Sequence, residues 1–192
     1  LIDDLLSLAR IQEGRLTLAP WPLDVAEAID EAVTLQRPNA ENAGLALVAT
    51  VPDGLIVEAD PTRVRQILVN LITNAIKFSN PGDRIDVGAE SSAAGDVVIF
   101  VRDQGPGVAA RDIERIFQPY EQVSGLARGR GAGLGLPLSR QLARLMGGDL
   151  WVEQVQPNGS EFRFRLRQKM PPPRVPLEAK MFDASDNGRR PK

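Results

Sequence analysis

Arg63-Val-Arg-Gln-Ile-Leu-Val-Asn-Leu-Ile-Thr-Asn-Ala-Ile-Lys-Phe-Ser79 is the stretch on which the fold turns. Taken at ~100° per residue, it separates into two faces. Val64, Ile67, Leu68, Leu71, Ala75 and Phe78 share one arc, the apolar stripe of a helix laid on a core. Arg63, Gln66, Asn70, Asn74 and Lys77 share a second arc. Asn70 and Asn74 are one turn apart, so both amides project from one side, with Lys77 a turn further on. Neutral oxygens beside one ammonium suit a cation bound to phosphate: the amide carbonyls complete a hydrated Mg²⁺ shell while lysine neutralises phosphate oxygens. Taken alone, the same face equally fits a solvated helix surface carrying two ordinary asparagines.

The remaining 175 or so residues of the 192-residue chain set the context for that helix. An apolar fraction of 43% is enough for a normal core. A net charge of -2 gives no pull toward nucleic acid. The chain has no cysteine, which excludes disulfides and thiolate metal sites and favours a reducing compartment. It also has no histidine, so the commonest general base, metal ligand and phosphoacceptor are missing. No run reaches the ~18 apolar residues of a membrane span, and no signal peptide is visible. Leu1 already lies inside a helical pattern, which predicts a segment of a longer protein. Membrane attachment upstream stays open.

Residues 1 to about 14 predict the end of an amphipathic helix, with Leu1, Leu5, Leu8 and Ile11 at helical spacing and Gly14 as its stop. Leu16 to Leu18 predicts a short strand, broken by Pro20-Trp21-Pro22. Asp24 and Glu27 form a capping-box-like pair opening a helix with Val25, Ala28, Ile29, Ala32, Val33 and Leu35, expected to end near Pro38 or Gly44. Leu45–Val51 and Leu55–Ala59 predict strands around the turn Pro52-Asp53-Gly54. Asp60 caps the opening helix, with Pro61 at its first position.

Beyond Ser79, alternation over Arg84–Glu90 predicts a strand, and Val97-Val-Ile-Phe-Val101 predicts a central strand buried on both faces. Arg111–Phe117 predicts a short helix. Residues 118–132 carry no apolar period and predict a mobile loop, long enough to be functional. Gly133–Met146 predicts a helix with a glycine-rich entry, followed by strands over Asp149–Gln156 and Ser160–Leu166. The chain from Met170 is Pro-rich, then polar and basic, and predicts disorder. Hairpins mixed with helical crossovers predict an α/β fold: a two-layer sandwich whose mixed sheet is covered on one face by helices.

Three further stretches bear on the opening helix. Asp103-x-Gly105-x-Gly107 follows the apolar strand: a carboxylate there can accept from an exocyclic amine, and glycines let a ring or phosphate approach the backbone. Alone, it fits a tight strand-to-loop turn better. Gly129-x-Gly-Ala-Gly-Leu-Gly-Leu136 opens a helix, where free N–H groups make an anion site, and Arg128 and Arg130 stand at its entry. Phe117-Gln-Pro-Tyr120 supplies two aromatics at the entrance to the long loop.

These motifs occur once each, in this order: Asn-x-x-x-Asn-Ala-x-Lys-Phe, Asp-x-Gly-x-Gly, Phe-x-Pro-Tyr, Gly-x-Gly-Leu-Gly-Leu. From about residue 22 to about 167 the chain resembles the catalytic ATP-binding domain of sensor histidine kinases, with the Bergerat-type fold shared with gyrase-type, Hsp90-type and mismatch-repair-type ATPases. Residues 1–15 resemble the end of the second dimerisation helix of those kinases. The resemblance therefore implies three parts: that helix end over 1–15, the catalytic domain over 16–168, and an appended tail over 169–192.

The resemblance implies ATP and Mg²⁺ as ligands. Asn74 matches the Mg²⁺-ligand asparagine and Asn70 the polar residue one turn earlier; Lys77 matches the phosphate-contacting lysine. Asp103 matches the carboxylate that takes the adenine amine, with Gly105 and Gly107 shaping the pocket floor. Gly131, Gly133, Leu134, Gly135 and Leu136 match the phosphate-side glycine box. Residues 118–132 match the ATP lid, entered at Phe117 and Tyr120, with Arg128 or Arg130 as its phosphate contacts. Ser160 matches a small hydroxyl residue near the adenine. Hydrolysing branches of the superfamily carry Glu at the place of Asn70, as base for the attacking water. Asparagine cannot take that proton, so position 70 favours phosphoryl transfer to a positioned side chain.

With no histidine here, the acceptor implied by the resemblance lies on a dimerisation domain upstream or in trans. A response-regulator receiver domain, a homodimeric full-length protein and a cytoplasmic site of action are implied likewise, with inner-membrane anchoring of the full-length protein left open. A related serine kinase or ATPase branch, and a non-catalytic nucleotide-sensing module, are the competing readings.

Overall fold

The computed structural model describes residues 2–92, 95–121, 133–155 and 158–167. Its order is α1 (Ile2–Gln12), β1 (Trp21–Asp24), α2 (Val25–Asn42), β2 (Ala46–Thr50), β3 (Ile56–Ala59), α3 (Pro61–Phe78), β4 (Arg84–Ser91), β5 (Asp96–Asp103), 3-10 turns at Ala110–Asp112 and Arg115–Phe117, α4 (Gly135–Leu145), β6 (Asp149–Gln154) and β7 (Ser160–Arg167). Strands β2-β4-β5-β7-β6 form a mixed sheet, with only β2 and β4 parallel; β1 and β3 form a separate antiparallel pair.

Each helix forms for local reasons and is held by its stripe. The α3 N-terminus is capped by the Asp60 carboxylate, which accepts from the backbone of Thr62 (3.0 Å) and Arg63 (3.3 Å). The stripe Val64, Ile67, Leu68, Leu71, Ile72 and Ala75 is buried against the sheet. Asp24 caps α2 by accepting from Ala26 (2.8 Å). Helices α2 and α4 both pack on α3, and α1 packs on α4, with Leu8 in the core and Ile11 against it. The sheet meets them with alternate residues, among them Ile85, Val87, Ile99, Val101, Phe162 and Phe164.

The other sheet face is polar. Cα partners across one row are Asp86, Arg102, Glu161 and Glu153. Glu161 is buried there between Arg102 (2.6 Å) and Arg163 (2.9 Å), and Arg163 also pairs with Glu90. The central position expected for Val97–Val101 is found: Val97, Ile99 and Val101 are buried toward the helices and Val98 is buried on the other face, whereas Phe100, also on that face, is half-buried, with the Arg102 guanidinium over its ring rather than a second helical layer.

Other expectations are corrected. Leu16–Leu18 is not a strand; Ala19 N–H is instead tied to the Asp60 carboxylate (3.0 Å). The strand lies at Trp21–Asp24, through Pro22, which β1 tolerates because it pairs on one side only. The strands flanking Pro52-Asp53-Gly54 do not pair with each other, since β2 joins β4 and β3 joins β1. Pro38 lies inside α2 on its solvent side, where water can take the carbonyl its ring leaves free. Leu35 is exposed and Gln36 takes its place in the buried stripe. The helix expected at Arg111–Phe117 is two 3-10 turns, bent so that Asp112 is buried against Arg115 (3.0 Å).

Candidate nucleotide site

The site is built along α3. Asn70, Asn74 and Lys77 are half-buried on the face away from the core stripe. At the Asn70 end, α4 begins. A Cβ on Gly135 would overlap the Asn70 side-chain amide, so glycine is what lets the first turn of α4 close onto it. Asn70 Nδ2 donates to Ser139 Oγ at 2.9 Å, one turn further along α4. The uncapped N–H groups of the first α4 turn therefore lie beside the Asn70 amide, an arrangement that favours an anion. The Lys77 ammonium stands 5.0 Å from the Phe78 ring centroid.

At the other end, α3 meets the end of β5. A Cβ on Gly105 would come within 2.7 Å of the Phe78 carbonyl oxygen and 3.0 Å of Asp103 Oδ1. Gly105 N–H donates to Asp103 Oδ1 at 2.9 Å, and the Ser160 backbone supplies a second bond to this carboxylate. Asp103 and Ser160 are Cα partners across β5 and β7, and both are buried. Burial raises the Asp103 pKa above its ordinary 3.8, the two backbone donors pull it down in part, and nearby Asp83 pushes it up again. A buried carboxylate in that state is primed to accept from a donor that restores its lost solvation. Gly107, at φ 76°, packs against the Gly159 carbonyl and completes the turn.

From Asn70 to Phe78 is about 12 Å along the axis. The anion-favouring end and the buried carboxylate are thus joined by one rigid element. Around them, Phe117 is buried under the Arg140 guanidinium at 4.6 Å from its centroid. Tyr120 is exposed at φ 67°, and its N–H donates to the Gly133 carbonyl at 3.1 Å, tying together residues on either side of segment 122–132. Leu134 is in the core, and Leu136 is half-buried against it. Arg128, Arg130 and Gly131 lie outside the described residues, as do the rest of segment 122–132 and the tail from residue 168. Sequence reasoning missed Ser139; its spacing of four from Gly135, on the same α4 face, was the available signal.

Residues 59–170 match the family described as histidine kinase-, DNA gyrase B- and HSP90-like ATPase. The chain belongs to that family. Among curated relatives, the histidine protein kinase DivJ of Caulobacter vibrioides is 38% identical over 168 residues, covering 86% of this chain and 28% of DivJ. The signal transduction histidine-protein kinase BarA of Escherichia coli is 34% identical over 182 residues, covering 90% of this chain and 20% of BarA. The chain thus spans less than a third of either relative's length. The crystal structure of full-length ShkA in complex with AMPPNP superposes with a TM-score of 0.80 at 31% identity, covering 88% of this chain and 35% of ShkA. The mixed sheet with helices on one face is the fold of these kinases.

Proposed function

We propose that this chain binds Mg²⁺–ATP and is the catalytic part of a sensor histidine kinase, delivering the γ-phosphoryl group to a histidine outside the chain. The observation that carries this reading is the division of labour along α3: Asn70 against Gly135 at one end, Asp103 with Gly105 against Phe78 at the other. The Asp103 carboxylate accepts from the adenine amine. The α4 N-terminus and Lys77 hold the phosphates.

Among the described residues no group of three histidine, cysteine, aspartate or glutamate side chains converges into a metal cage. Two amide oxygens on one helix face fit a cation that takes its other ligands from phosphate and water, which is the habit of Mg²⁺. Asn70 and Asn74 would hold it, and it would supply charge neutralisation on the phosphate oxygens. Asn70 cannot deprotonate water, so the bound nucleotide is held for transfer rather than hydrolysis. The same reading places a response-regulator receiver domain downstream in the phosphate's path.

The test is radiolabelled ATP with a supplied histidine-bearing helical hairpin. Acid-labile label on the hairpin supports the reading, at a low rate because no tether raises the effective concentration. Acid-labile label on this 192-residue chain itself contradicts it, since the chain contains no histidine.

A further inference from the structure

We infer that Ser139 is a positioning residue for the phosphate end of the site, anchoring the Asn70 amide at the start of α4. This rests on the nucleotide reading above and deepens it.

Ser139 is 2% exposed, on an otherwise apolar face of α4 that includes Leu138 and Leu142 among its buried neighbours. A hydroxyl there requires a partner. It has one from another element: the Asn70 amide nitrogen at 2.9 Å, across 69 positions of sequence. An asparagine amide has two chemically opposite ends, a donor NH₂ and an acceptor oxygen. With the NH₂ engaged by Ser139, the oxygen is left on the Gly135 side, where a Cβ would overlap it. Only that oxygen can serve a cation; a reversed amide would present protons to it. Gly135 and Ser139, one turn apart on α4, thus make a cradle that holds the Asn70 amide in place at the start of that helix. The same contact couples α3 to the helix that follows segment 122–132.

Ser139→Ala leaves the volume nearly unchanged and removes that anchor, freeing the Asn70 side chain to leave the cradle. Partners one layer behind a metal ligand typically change metal affinity by roughly tenfold or more. In the full chain, Ser139→Ala is expected to raise the Mg²⁺ concentration for half-maximal ATP binding about tenfold. ATP binding without Mg²⁺ should stay as in the wild type. In an Asn70→Ala background the same substitution should add nothing. A purely structural serine would instead lower the melting temperature and weaken both binding modes equally; that outcome, or an unchanged Mg²⁺ dependence, overturns the inference. Wild-type side-chain amide exchange gives a measurement that needs no variant. The Asn70 NH₂ should exchange more slowly than that of Asn74, and equal rates overturn the inference. A wild-type chain whose ATP binding ignores Mg²⁺ would overturn the functional reading itself, whereas full wild-type Mg²⁺ dependence in Ser139→Ala would overturn only the role of Ser139.

Discussion

Asp103 is held between two demands. Its burial makes the charged form costly, while the backbone of Gly105 and Ser160 and, in the proposed complex, the adenine amine all favour that form. With a folded-state pKa above the ordinary 3.8, the empty chain binds this proton more tightly than the unfolded chain does. The stability it contributes is fully present below that ordinary value and is lost as pH rises through the raised one. In the proposed complex ATP binding has the opposite sign, because the adenine amine would need the carboxylate. Affinity for ATP should therefore fall as pH is lowered through the raised pKa, and titration at a series of pH values should show this slope flattened in Asp103→Asn. At neutral pH that variant should lose about 1.5–3 kcal/mol of ATP binding, the scale of a hydrogen bond to a charged group. Gly135→Ala tests the other end: its methyl would overlap the Asn70 amide, so ATP binding should weaken with the fold retained by circular dichroism.

At the scale of elements, Asp60 does two jobs. It caps α3 and holds Ala19, so the segment leading into β1 is fastened to the helix that carries the site. Asp60→Ala should cost about 1–2 kcal/mol in urea unfolding, and more than the loss of an exposed cap because the carboxylate is buried. This cap, the α3 stripe and the ends of most strands were legible in sequence because each is local: a capping residue, a proline at the first turn, a period of 3.6 or 2. The pairing of β1 with β3, and of β2 with β4, was not, because partners chosen at long range leave no short-range mark. The same holds within the site. Asn74, Lys77 and Asp103 stand in recognisable spacings, whereas the Asn70–Ser139 bond exists only once α3 and α4 are packed.

At the scale of the whole molecule, one face of the sheet is a helical core and the other a set of coupled charges. Glu161 is buried between Arg102 and Arg163, directly beside the Asp103–Ser160 pair in the ladder. Glu161→Gln should destabilise the fold by about 1–3 kcal/mol, less than for a fully buried pair because Arg102 is half-exposed. Denaturant midpoints of the two proteins would show it. Among the described residues no helix is long and apolar enough to cross a membrane. The proposed nucleotide site lies along α3, and the measurement that tests this most directly is calorimetric titration of ATP into wild type and Asn74→Ala, each with and without Mg²⁺. The account predicts that Mg²⁺ strengthens binding in the wild type and loses most of that effect in Asn74→Ala, and an Mg²⁺ enhancement unchanged in the variant would contradict it.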